Sequence, residues 1–117
     1  MRADPDRISE EARALLTDGS NVLLLSAAST WEMSIKAALG KLTLPGPAES
    51  VVPEMIRVSG VTPLPIALSH TLRVGALPMH HRDPFDRLLV AQAQMEAVPL
   101  MTSDAKFGRY DLEVLSA

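Results

Sequence analysis

Three acids stand where this chain could do chemistry: Glu32 in Ser29-Thr30-Trp31-Glu32, Asp86 in Asp83-Pro84-Phe85-Asp86, and Asp104 directly after Thr102-Ser103. Carboxylate oxygens, in a chain with no cysteine and 3 histidines, are the donors that Mg²⁺ or Mn²⁺ takes. Carboxylates gathered at one place repel one another and hold their protons unless a cation neutralises them. A fold that assembled these acids would therefore hold a divalent ion, and such an ion activates water for hydrolysis.

Each acid by itself also has an ordinary structural account. Glu32 closes a capping box that opens at Ser29, in which hydroxyl and carboxylate satisfy free backbone donors. Asp86 lies in the first turn of a helix, where backbone dipoles favour a negative charge by about 0.3–1 kcal/mol. Asp83 already supplies that helix with a cap, so Asp86 is surplus to the local need. Asp104 fits the start of a short helix or turn.

The pair His80-His81 raises the question of zinc. Neighbouring loop residues do not both reach one ion, and no third ligand has a zinc-like spacing. The pair instead holds its loop or meets phosphate. Lys36, Lys41, Arg82, Arg87, Lys106 and Arg109 lie near the acids in sequence, most of them as ordinary solvated surface. Arg82 and Arg87 flank Asp86 and are the candidates for phosphate contacts. Trp31 and Phe85, beside acids at helix starts, read as core anchors.

The elements that must position these groups alternate. Helices are predicted from Ser9 towards Gly19, from Ser29 to Leu39, over residues 47–59 with an interruption at Pro53, and over 69–77. The strongest helix start is Asp83-Pro84, with Asp83 as cap and Pro84 at the first helical position; that helix runs to Ala97. Between them, residues 22–25 and 98–102 read as buried strands, 61–66 as extended, and 112–115 as a last strand. Strands alternating with helices make an α/β fold with a mostly parallel central sheet and helices on both faces. Ligands bind such sheets beyond the carboxyl ends of the strands. Glu32 follows the first strand and Asp104 follows the strand at 98–102.

Composition bounds the rest. At 117 residues the chain has room for a single domain, spanning 1–117. It is 47% hydrophobic and 21% charged, with aliphatic side chains dominating and only Trp31, Tyr110, Phe85 and Phe107 as aromatics, a palette for parallel strands under helices. The absence of cysteine excludes disulfides and a thiolate nucleophile. The first residues form no secretory signal, and no apolar run is long enough to span a bilayer, so a cytoplasmic protein without a membrane partner is expected. A net charge of −3 argues against coating nucleic acid through a wide basic face. An enzyme acting on RNA needs only a local arc of cations and is compatible with that charge.

Three blocks together resemble a known family. Residues 26–42, from Ser26 through Trp31-Glu32 to Gly40-Lys41-Leu42, resemble the second conserved block of PIN-domain ribonuclease toxins of the VapC type. His80-His81-Arg82-Asp83-Pro84-Phe85-Asp86-Arg87 resembles the third, in the subgroup that carries this run. Leu100-Met101-Thr102-Ser103-Asp104, with Phe107 and Tyr110, resembles the last. The likeness runs from about Asp4 to Leu115. It implies a PIN-like three-layer fold and a Mg²⁺- or Mn²⁺-dependent endoribonuclease, a hydrolase acting on RNA. It also implies the toxin half of a toxin–antitoxin pair, with a cognate antitoxin and a homodimer. Carried over by motif, Glu32, Asp86 and Asp104 become the catalytic and metal-binding cluster, with Asp83 as an outer acid.

The resemblance also exposes a departure. Family members open with a strand ending in a metal-binding Asp, and here Asp4 and Asp6 match a later stretch, so neither inherits that role. The domain is therefore expected to be N-terminally incomplete through a misplaced start, a true truncation, or a strand supplied by a partner. The alternative function is a catalytically impaired module that binds an antitoxin or a sister subunit. A phospho-acceptor domain does not fit, because Ser26-Ala27 follows the first strand where paired acids are required.

Overall fold

The computed structural model describes residues 9–117; Asp4 and Asp6 lie outside them. The described residues form two compact units, one holding Val22–Pro65 and the other residues 9–21 together with Ile66–Ala117. Both are α/β with parallel strands, as expected. Among the described residues the parallel pairing occurs as two separate ladders, one in each unit.

In the unit of residues 22–65, β1 (Leu24–Ser26) pairs in parallel with β2 (Thr62–Leu64), Leu25 standing opposite Pro63. The strand expected at 22–25 is thus displaced towards its carboxyl end. Val22 is 75% exposed, and burial deepens along β1 from exposed Leu24 through half-buried Leu25 to buried Ser26. α2 (Ala27–Ala38) follows without a loop, and its cap is Ser26, whose Oγ accepts the Ala28 N–H at 3.0 Å. The helix therefore starts before the expected capping box. α3 (Ala48–Ser59) packs on α2 and passes through Pro53 without a break, contrary to the expected interruption. Pro53 is exposed, so its missing N–H and its ring leave no core contact to repair. Gly60 ends α3 in the left-handed conformation, φ 75°, a conformation in which a Cβ would be strained.

In the other unit, α1 (Glu10–Thr17) is capped by Ser9, which also donates its hydroxyl to the Ser116 carbonyl at 2.9 Å. α4 (Leu68–Val74) lies along α5 (Pro84–Glu96), and α5 lies against β3 (Leu100–Thr102). β3 pairs in parallel with β4 (Val114–Ser116) after a 3₁₀ turn over Ala105–Arg109. The core joins Leu77, Val90 and Ala91 to Phe107 and Tyr110, with Val74, Leu100, Leu112 and Val114 against it. α5 gives Val90 and Ala91 to this core, and its Leu88 and Ala93 are buried as well. The fully buried His70 ties α4 to α5: its Nδ1 accepts the Ala67 N–H at 2.9 Å and its Nε2 faces Glu96 Oε1 at 3.0 Å. No helix of the described residues is long and apolar enough to cross a membrane.

Candidate functional site

Asp83, Asp86 and Asp104 belong to the same unit and owe their positions to local backbone chemistry. α5 starts as expected. Asp83 Oδ1 accepts the N–H groups of Phe85 at 2.8 Å and Asp86 at 3.3 Å, and Pro84 occupies the first turn, where its missing donor costs nothing. Asp83 is thereby committed to capping. Asp86 sits three positions after Asp83, half-buried in the first turn of α5, where the helix dipole favours a carboxylate.

Asp104 follows β3 and opens the 3₁₀ turn. Its Oδ1 accepts the Lys106 N–H at 2.9 Å and its Oδ2 lies 3.2 Å from His81 Nε2. The Lys106 N–H, acting directly on the charged form, holds this carboxyl below its usual range; burial opposes it, and the weaker His81 hydrogen bond adds to the lowering. Asp104 is therefore an ionised carboxylate with a partner on each oxygen and a side chain still 44% exposed.

His81 is the buried partner in this arrangement. Its ring lies 12° from parallel to Tyr110, with centroids 5.6 Å apart, and 4.4 Å from the ring of Phe107. The Tyr110 hydroxyl accepts the His81 backbone N–H at 3.0 Å and lies 3.2 Å from His81 Nδ1. His80 meets the edge of Tyr110 at 4.9 Å. Of the two roles expected for the histidine pair, His81 fills that of holding the loop.

Arg87 does not stand where a phosphate contact should. It is buried, and its guanidinium donates to the carbonyls of Val74 at 2.9 Å, Pro78 at 3.0 Å and Leu77 at 3.3 Å. These carbonyls lie at the end of α4 and in the loop before α5, so Arg87 fastens that loop. A buried, multiply bonded Arg is unavailable to an incoming phosphate, and the expected role is corrected accordingly. Arg82 is exposed and keeps the candidacy.

Glu32 belongs to the unit of residues 22–65. Because α2 starts at Ala27, Glu32 lies in its second turn rather than closing a capping box, and it pairs with Lys36 one turn on at 3.2 Å. Trp31, expected as a core anchor, is 54% exposed. With Ile35 and the cap residue Leu39, four and eight positions on, it forms an exposed apolar stripe along α2.

Glu32, Asp86 and Asp104 offer only carboxylate oxygens, the donor type of Mg²⁺ or Mn²⁺, and Asp104 is already ionised. In donor chemistry they fit such an ion. Among the described residues, no group of three or more His, Asp or Glu is assembled as a complete metal-binding set.

Comparison with known proteins adds two findings. A PIN domain family model matches residues 3–113. The chain is 48% identical over 61 residues to Ribonuclease VapC16 of Mycobacterium tuberculosis (strain ATCC 25618 / H37Rv), an overlap that covers 52% of this chain and 43% of that protein. The chain thus spans less than half the length of the curated relative it matches.

Proposed function

This chain belongs to the PIN-domain family, and on that premise we propose that it is a metal-dependent endoribonuclease, the toxin of a toxin–antitoxin pair. The observation that carries the reading is the family match over residues 3–113 together with the likeness to Ribonuclease VapC16. The match runs across both compact units, which supports treating them as one domain. Asp86 and Asp104, with Glu32, are the residues that would hold Mg²⁺ or Mn²⁺, which when bound supplies an activated water and neutralises charge on the phosphate. The chain's own part is to hold these carboxylates in place, Asp86 by the first turn of α5 and Asp104 by the Lys106 N–H and His81. Exposed Arg82, near Asp86 in sequence, would meet an RNA phosphate on this reading.

The stripe of Trp31, Ile35 and Leu39 supports a protein partner, for which the reading names a cognate antitoxin and a second copy of the chain in a homodimer. The same stripe favours a second reading: a PIN module that binds its partner without cutting RNA. A cytoplasmic site of action belongs to the first reading, because that is where its RNA substrate and antitoxin are made.

The two readings separate in one experiment. Purified, antitoxin-free protein is incubated with total cellular RNA in Mg²⁺ or Mn²⁺, with and without a chelator, and the new ends are analysed. Attack by water is expected to leave ends without a 2′,3′-cyclic phosphate, and chelation is expected to stop their formation. Cleavage that survives chelation, or that yields cyclic phosphates, would contradict the nuclease reading; an inert protein that still binds its antitoxin tightly would establish the second.

A further inference from the structure

The hydrogen bonds around His81 have a direction. A carboxylate oxygen accepts, so the 3.2 Å hydrogen bond between His81 Nε2 and Asp104 Oδ2 puts the donor proton on Nε2. The other ring nitrogen, Nδ1, faces the Tyr110 hydroxyl at 3.2 Å. That hydroxyl already accepts the His81 backbone N–H, which leaves its own hydrogen to point at Nδ1. The order is Tyr110 O–H to His81 Nδ1, then His81 Nε2–H to Asp104. The whole chain stands on buried supports: Tyr110 and Phe107 belong to the core, and Arg87 fastens the loop that carries His81, with its guanidinium also 3.5 Å from the His81 carbonyl.

We propose that His81, oriented by Tyr110, is a positioning residue that fixes the Asp104 carboxylate in the geometry needed to hold a divalent ion. The inference rests on the reading of Asp104 as a metal-binding acid. Two fixed donors hold the carboxylate, the Lys106 N–H on one oxygen and His81 Nε2–H on the other. Each oxygen keeps further lone-pair capacity for a cation. Partners one step outside a metal site typically change metal affinity by about 10–100-fold when removed. Sequence distance hides the arrangement, since His81 lies 29 residues from Tyr110 and 23 from Asp104.

The test uses the full chain and Mn²⁺ alone, with affinity read from water-proton relaxation and folding from circular dichroism. His81→Leu is expected to weaken Mn²⁺ binding about tenfold or more, and His81→Gln, which keeps a donor near the Nε2 position, to recover most of it. Tyr110→Phe removes only the orienting hydroxyl and is expected to give a smaller loss, so it carries the test if His81→Leu does not fold. Long-range ¹H–¹⁵N spectra of the wild type are expected to show His81 protonated at Nε2. A folded His81→Leu that binds Mn²⁺ like the wild type, equal behaviour of the Gln and Leu variants, or a ring protonated at Nδ1 alone would overturn the positioning role. Asp104→Asn separates the two levels. If it leaves Mn²⁺ binding unchanged, the reading of Asp104 as a ligand falls; if it weakens binding while the His81 variants do not, only the positioning role falls.

Discussion

Arg87 is the side chain whose role the fold changes most. Beside Asp86 in sequence it looks like a phosphate contact, yet its guanidinium serves the carbonyls of Val74, Leu77 and Pro78. Replacing it with Met would keep much of the buried volume and remove every donor. Buried acceptors left without partners cost about 1–3 kcal/mol each, so Arg87→Met is expected to lose about 3 kcal/mol or more of stability in urea unfolding. A loss under about 1 kcal/mol would mean that water replaces the guanidinium. Asp83 and Asp104 were legible as helix-start or turn acids because a cap is a matter of a few adjacent residues. The partners of Arg87 and the bond from His81 to Tyr110 were not, because they are made by chain segments that only the tertiary fold brings together.

At the scale of elements, local signals worked where one candidate stood alone and failed where two competed. Asp83-Pro84 has no rival, and α5 begins there. Ser26 and Ser29 could each cap α2; Ser26 does so, directly at the end of β1, and this moves Glu32 from the cap into the body of the helix. β1 was placed early because Val22 and Leu23 share the aliphatic character of Leu24 and Leu25, whereas the strand is set by its pairing with Thr62–Leu64. α3 shows packing overriding propensity, since Val52 is buried beside the unfavourable Pro53 and the helix continues. Pro53 is exposed, so Pro53→Ala restores a backbone donor and disturbs no core. A Pro inside a helix is about 3 kcal/mol less favourable than Ala, partly offset by the freer unfolded chain of the variant. Pro53→Ala is therefore expected to raise stability by about 1–2 kcal/mol in thermal or urea unfolding, and a fall would mean that the proline is held by contacts outside α3.

For the molecule as a whole, the α/β class with parallel strands followed from the alternation of strands and helices, and membership of the PIN-domain family agrees with the three blocks that suggested it. The exposed Trp31 was misread because an aromatic at a helix start is usually a core residue, and nothing in a single chain's pattern distinguishes a core stripe from a partner-binding stripe. On the proposed function, carboxylates of this chain, Asp86 among them, drive RNA hydrolysis with a divalent ion. The most direct measurement is the single-turnover rate of RNA cleavage in saturating Mn²⁺, wild type against Asp86→Asn, with folding verified by circular dichroism. Removing one carboxylate charge from such a centre is expected to slow cleavage about a hundredfold or more while leaving the fold intact. A folded Asp86→Asn protein that cuts RNA at the wild-type rate would contradict the account.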